Sequence, residues 1–133
     1  MRIRVSTISD NELERGVRTE ARLTHAQPLA ADAAAAANLV ARSLAQGRSW
    51  RQALTDTERV VPGEIGSVVV GWESTPSDRS GFAPAVLHAS VHFVGTSTSP
   101  REALNRSMSF SGETNYVPVL AGALAGARWG WRD

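Results

Sequence analysis

The 133-residue chain has no cysteine, which excludes disulfides and thiolate chemistry and leaves the redox compartment open. Aromatic residues make up only 6% of it, so alanine, leucine, valine and glycine must supply most of the core. No charge of either sign accumulates. The formal net charge is +1 and acids and bases are interspersed, which gives no electrostatic footprint for nucleic acid. No run of about 18 apolar residues suggests a membrane span. The opening Met1-Arg2-Ile3-Arg4-Val5 lacks the apolar stretch of a signal peptide. The expectation is a soluble cytoplasmic protein with neither nucleic acid nor membrane as partner. This length fits a single domain, 1–133, able to bury roughly two-thirds of its unfolded surface.

What is present is helix-forming. Ser9-Asp10-Asn11-Glu12 has the form of a capping box and predicts a helix to about Thr24. Pro28 suits the first turn of a second helix, because its missing N–H would be unpaired there in any case. The alanine-rich run Leu29–Gln46 has very high helix propensity, and Gly47 ends it. Ala33, Ala36, Ala37 and Val40 give that helix a flat face. Ser49 caps a shorter helix through Leu54 to about Val60. Pro62-Gly63 breaks the pattern, and the stretch to Gly81 reads as a long connection in which Val68–Val70 could form a short strand. A connection of that length is usually functional or disordered, and its polar part, Ser74–Ser80, is expected to be mobile. Helix resumes near Phe82 with a stripe of Val86, Leu87, Val91 and Val94. Ser99-Pro100-Arg101-Glu102 combines an N-cap, a proline at the first helical position and a capping glutamate. That helix runs to about Ser109, Ser111-Gly112 turns, and a last helix spans about Asn115 to Trp129, stopped by Gly130. The fold class is all-α, an orthogonal bundle of five or six helices.

The final segment, Gly112-Glu113-Thr114-Asn115-Tyr116 followed by Val117-Pro118-Val119-Leu120-Ala121-Gly122-Ala123-Leu124-Ala125-Gly126-Ala127, resembles the signature of the ADP-ribosylglycohydrolase family. There a glycine turn precedes Asp-X-Asp-Thr and a helix reading Ala-Gly-Ala-Leu-Ala-Gly-Ala. Glu102-Ala103-Leu104 sits where the family has a Glu-Ala-Leu helix, and Thr24-His25 ahead of an alanine-rich helix is similar to its Thr-His element. Met1-Arg2-Ile3 is similar to a segment lying mid-chain in longer members. The resemblance covers nearly all of this chain and about the C-terminal half of the family's domain. It implies hydrolysis of the glycosidic bond joining ADP-ribose to a side chain or small molecule. It also implies two magnesium ions at the centre of a helical domain, held by an early acidic cluster and by the late Asp-X-Asp-Thr. Hard cations of this kind want several oxygen ligands in near-octahedral geometry.

At each late ligand position the residue differs. Glu113 keeps the charge but reaches one methylene further, Asn115 offers a neutral carbonyl oxygen, and Tyr116 replaces the small hydroxyl residue. The resemblance places the early acidic cluster ahead of Met1. By this correspondence Glu113, Asn115 and Tyr116 are altered metal positions, while His25, Gly112 and Thr114 are ligand-binding candidates, and no residue is assigned a catalytic role. Asn115 could equally cap the last helix. His88 and His92, four apart, have a spacing that permits shared metal ligation, but without a third ligand nearby a partly buried face is the plainer reading. Gly122 and Gly126 mark close helix packing. Trp129 and Trp131 beside Arg128 and Arg132 anchor the C-terminus or stack on a ligand.

The implied function is an ADP-ribosylglycohydrolase-like protein inactive alone, a pseudoenzyme unless a complementary chain supplies the acidic half. The alternative is a non-catalytic remnant that binds an ADP-ribose-like ligand or a protein partner. A homodimer is expected if the flat alanine face and the Gly122–Gly126 face are left uncovered. One survivor carboxylate is too few to offset two doubly charged ions, so the isolated chain should show no sub-millimolar, stoichiometric magnesium binding by calorimetry. The double change Asn115→Asp with Tyr116→Thr should raise affinity only modestly, and tight binding by the unaltered chain would overturn the ligand-deficit argument.

Overall fold

The structure, a computed structural model, describes residues 28–112 and 115–130. These form six α-helices: α1 (Pro28–Ala45), α2 (Trp50–Val60), α3 (Glu64–Val70), α4 (Ala83–Thr96), α5 (Pro100–Ser111) and α6 (Tyr116–Trp129). No strand occurs among the described residues, so the all-α expectation holds. The expected helix from Ser9 and the Thr24-His25 element lie outside the described residues.

Helix boundaries follow the sequence signals closely. Gly47, at φ +89°, ends α1 in a Schellman arrangement, with its N–H on the Leu44 carbonyl and the Arg48 N–H reaching Ser43. The Ser49 hydroxyl accepts from the Gln52 N–H at 3.2 Å and the Ser99 hydroxyl from the Glu102 N–H at 3.1 Å. Glu102 closes its box one residue early, accepting from the Thr98 N–H at 2.7 Å and the Thr98 hydroxyl at 3.1 Å. One element overturns the reading of 62–81 as an unbroken connection. Val68–Val70 is not a strand but the last part of α3, whose Ile65 and Val69 are buried. Residues 64–70 place these two four apart, on one helical face against α2, and no partner strand occurs among the described residues.

Two helices are central. α1 packs against α2, α3, α4 and α6, and α4 against α1, α3, α5 and α6. A helix surrounded on several sides must be apolar nearly all round. In α1 the small side chains Ala31, Ala35 and Ala36 are fully buried, letting neighbours approach closely from several directions. In α4 residues 89–94 are all buried, and its polar members are satisfied internally: the Ser90 hydroxyl donates to the Val86 carbonyl at 2.7 Å. The expectation of an uncovered alanine face therefore fails at its centre. Ala33, Ala36 and Val40 are buried inside the chain, with Ala37 packed against the same core.

α4, α5 and α6 run up, down and up. Gly81, just before α4, meets the Tyr116 ring at the start of α6, while near their far ends the Arg128 guanidinium donates to the Val94 carbonyl. α4 and α6 therefore lie roughly parallel with their N-termini side by side. The Arg128 guanidinium also sits over Trp50 at 5.4 Å and Trp129 at 4.5 Å, which anchors the end of α6. Burial pushes the pKa of Arg128 down.

The stretch after α3 is held to α4 by three contacts. Trp72 and Trp50 meet edge to face at 6.0 Å directly over Gly95. His92 Nδ1–H donates to the Trp72 carbonyl at 3.0 Å, and His88 Nε2–H to the Ser74 carbonyl at 2.9 Å. The two histidines are thus spent on seating this stretch, and their four-residue spacing on one helix reflects that use. Residues 75–82 contain no helix, and Pro76 is buried.

Two outcomes follow from this seat. A methyl group at Gly95 would lie 2.4 Å from Trp72 Cε3 and 2.5 Å from Trp50 Nε1, so Gly95→Ala should cost about 1–3 kcal/mol despite the better helix propensity of alanine. Equal or higher denaturant stability in that variant would show that the indoles yield freely. His92 is held below the usual imidazole range, first by burial, opposed by the bond to Trp72, and then by the charges of Arg106 and His88. A depressed imidazole leaves the native chain binding fewer protons than the unfolded one. The stability is present above the ordinary imidazole pKa and is lost as pH falls below it. The melting temperature should therefore drop between about pH 7 and about pH 5, and His92→Asn, which keeps an N–H for Trp72 without titrating, should flatten that drop. Identical slopes in the two proteins would place the acid sensitivity elsewhere.

Candidate functional site

The parallel α4 and α6 present their N-termini together, and the first half of α1 lies across them. Between the three helices opens a cleft of about 600 Å³. Its floor is Leu87 and Leu120, one wall is the Ala30, Ala34 and Ala37 side of α1, and Gly81, Phe82 and Tyr116 form its rim. The alanines lie three or four apart, so they share one face of α1. Ala36 and Val40 serve the core, Ala33 borders both core and cleft, and the neighbouring face bears the rest of the cleft wall. Asn38 stands at the edge with its Nδ2 donating to the Ala34 carbonyl at 3.0 Å, which leaves its carbonyl oxygen free to accept. Two exposed aromatic side chains stand at the mouth: Phe82 is 48% exposed and Tyr116 59%. A cleft of this size, mostly apolar with a few polar groups at its edge, is of the kind that takes a small molecule.

Neither helix start at the rim is capped by a side chain. Phe82 precedes α4 and carries no capping oxygen. Asn115 occupies the N-cap position of α6, and its carbonyl accepts from the Val119 N–H at 3.1 Å, yet its side chain makes no capping bond. The reason lies in the backbone. Ser49 and Ser99 cap from extended conformations, with ψ of 162° and 158°, whereas Asn115 has ψ 15°, which turns the side chain away from the first helical N–H groups. Free N–H groups at two adjoining helix starts favour negative charge.

Of the residues singled out in the sequence, His25, Glu113 and Thr114 lie outside the described residues. Gly112 takes φ +64° and ends α5, its N–H on the Met108 carbonyl. Asn115 is exposed. The ring of Tyr116 lies against Gly81, where a β-carbon would come within 3.0 Å of its Cε2, so this side chain walls the cleft. His88 and His92 do not join this group. The sequence reading missed Ala30, Ala34, Asn38, Gly81 and Phe82 as cleft residues. The available signals were a second alanine row on α1 and a glycine-aromatic pair just ahead of a helix.

Among the described residues the donor set does not fit a pair of magnesium ions. Among the described residues no three His, Cys, Asp or Glu side chains gather to hold a metal. At the turn, the described side chains offer only a neutral amide oxygen and a phenol. Hard divalent cations bind through carboxylates and carbonyls in number, and these two side chains supply neither the charge nor the count.

No helix among the described residues is long and apolar enough to cross a membrane. Comparisons with curated proteins and with solved structures find no match. The sequence model of the family described as ADP-ribosylglycohydrolase, by contrast, matches residues 2–133, nearly the whole chain. The all-helical architecture agrees with that match, and the chain therefore belongs to the ADP-ribosylglycohydrolase family.

Proposed function

We propose that this protein binds an ADP-ribosyl group in the α1–α4–α6 cleft and does not by itself hydrolyse the glycosidic bond. The observation that carries the reading is the junction of two uncapped helix starts with an apolar slot of about 600 Å³. The N–H groups of α4 and α6 suit a pyrophosphate, and the alanine wall with Phe82 suits a flat, weakly polar base. The Asn38 carbonyl oxygen offers an acceptor to an exocyclic amine. Family membership supports a glycosidic-bond hydrolase as the ancestral chemistry. The neutral pair Asn115 and Tyr116 supports its loss in this chain alone, since at those two positions the second carboxylate and the small hydroxyl of the family motif are replaced. Catalysis would then need carboxylates contributed by a complementary chain.

Calorimetric titration with ADP-ribose tests the binding half. Ala34→Leu combined with Ala37→Leu keeps helix propensity high and fills the slot, so it should abolish binding while leaving the melting temperature within a few degrees. Failure of the unaltered chain to bind ADP-ribose, or equal binding by the filled variant, would remove the cleft from consideration. Release of ADP-ribose from modified arginine by the chain alone with magnesium would overturn the inactivity.

A further inference from the structure

A second cavity, of about 430 Å³, opens where residues 75–79 cross the junction of α4 and α5, and it shares no lining residue with the cleft. Two arginines from different parts of the chain converge there. The Arg79 guanidinium lies 5.0 Å over the Phe110 ring and that of Arg106 lies 5.1 Å over the Phe93 ring. The two rings meet edge to face at 5.4 Å. One aromatic pair thus carries two cations, each positioned by a cation–π contact.

Like charges brought to one cavity repel, and nothing among the described residues offsets them with an ion pair. The ion pairs found involve Arg48, Arg51 and Arg59. Arg106 donates only to neutral hydroxyls, of Thr96 at 2.8 Å and Ser97 at 2.9 Å. Of the nearby carboxylates, Asp78 accepts from the Ser80 N–H at 2.9 Å, and Glu102 accepts from Thr98 while its charge also acts weakly on Arg106 without an ion pair. Both are held below the usual carboxylate range by those bonds. His92 lines the same cavity, but with its Nδ1–H given to Trp72 the Nε2 of the neutral ring is an acceptor and donates nothing to an anion. Ser109 adds a hydroxyl at the edge.

We infer that this cavity, whose donors are Arg79, Arg106 and the Ser109 hydroxyl, is an oxyanion site that takes the phosphoryl group of a small phosphorylated molecule. A guanidinium presents paired donors that match phosphate oxygens, and two of them offset a dianion. The volume exceeds what a bare phosphate needs and leaves room for a short organic body. The site stands on its own residues and holds whether or not the cleft binds ADP-ribose. It also adjoins the cleft along the chain, because Arg79 edges one cavity and Gly81 the other.

The test is a nuclear magnetic resonance titration of the isotopically labelled chain with inorganic phosphate, with glycerol phosphate, and with sodium chloride at matched ionic strength. Saturable shifts should appear at amides 75–79 and 106–110 and on the His92 ring with both phosphates, and not with chloride. Tighter binding of glycerol phosphate supports an organic phosphate as ligand, whereas equal binding of the two assigns the site to free phosphate. Arg79→Gln, on an exposed stretch, should weaken binding about tenfold, and Arg51→Gln, over Trp72, should not. Arg106→Gln should weaken it similarly, and if that variant misfolds, Arg79→Gln alone decides. Non-saturable shifts, equal shifts with chloride, shifts centred on residues 81–83 and 116, or unchanged binding by Arg79→Gln would each overturn the inference.

Discussion

Gly95 is the point at which the molecule is held. Its missing side chain lets Trp50, from the start of α2, and Trp72, from the end of α3, close edge to face on the back of α4. With the Trp72 indole seated there, its carbonyl comes within 3.0 Å of His92, one turn back along the same helix. One turn further back, His88 takes the Ser74 carbonyl. The chain is thereby laid along α4 against its direction, which brings Arg79 to Phe110 and Gly81 to Tyr116. Both cavities depend on that path, because each uses the 75–82 stretch as one wall. A close approach of two indoles to a helix backbone is worth more through what it positions than through its own packing energy.

The two cavities differ in how they are built. The cleft is a gap among helix ends, apolar inside and edged by backbone donors, and its selectivity would come from shape and from where the N–H groups point. The second cavity is made of side chains, and each of its arginines lies over a phenylalanine ring. The chain contains no lysine, so every cationic side chain is an arginine, able to stack on a ring and still present its donors.

The boundaries of five of the six described helices were legible in the sequence, because they rest on local chemistry: Gly47 at positive φ, the hydroxyls of Ser49 and Ser99, and Pro100 at a first turn. The motif from Gly112 onward likewise identified the family, since it lies in one contiguous run. α3 escaped because three consecutive valines favour a strand in isolation, and only contact with α2 settles them as helix. The capping role weighed for Asn115 was half right, as the residue type fitted the position but the backbone angle set by the turn did not let the side chain reach.

Composition and local pattern determined that the chain is helical, where most helices begin and end, and which family it belongs to. They could not determine which alanine row of α1 faces the core and which faces a cleft, since rows a residue apart look alike until α4 and α6 are placed beside them. Nor could they show that His88 and His92 hold a loop, or that Arg79 and Arg106, far apart in sequence, share an aromatic pair. Such pairings join residues distant along the chain, and their energies exist only once burial has brought the partners together and removed the water between them.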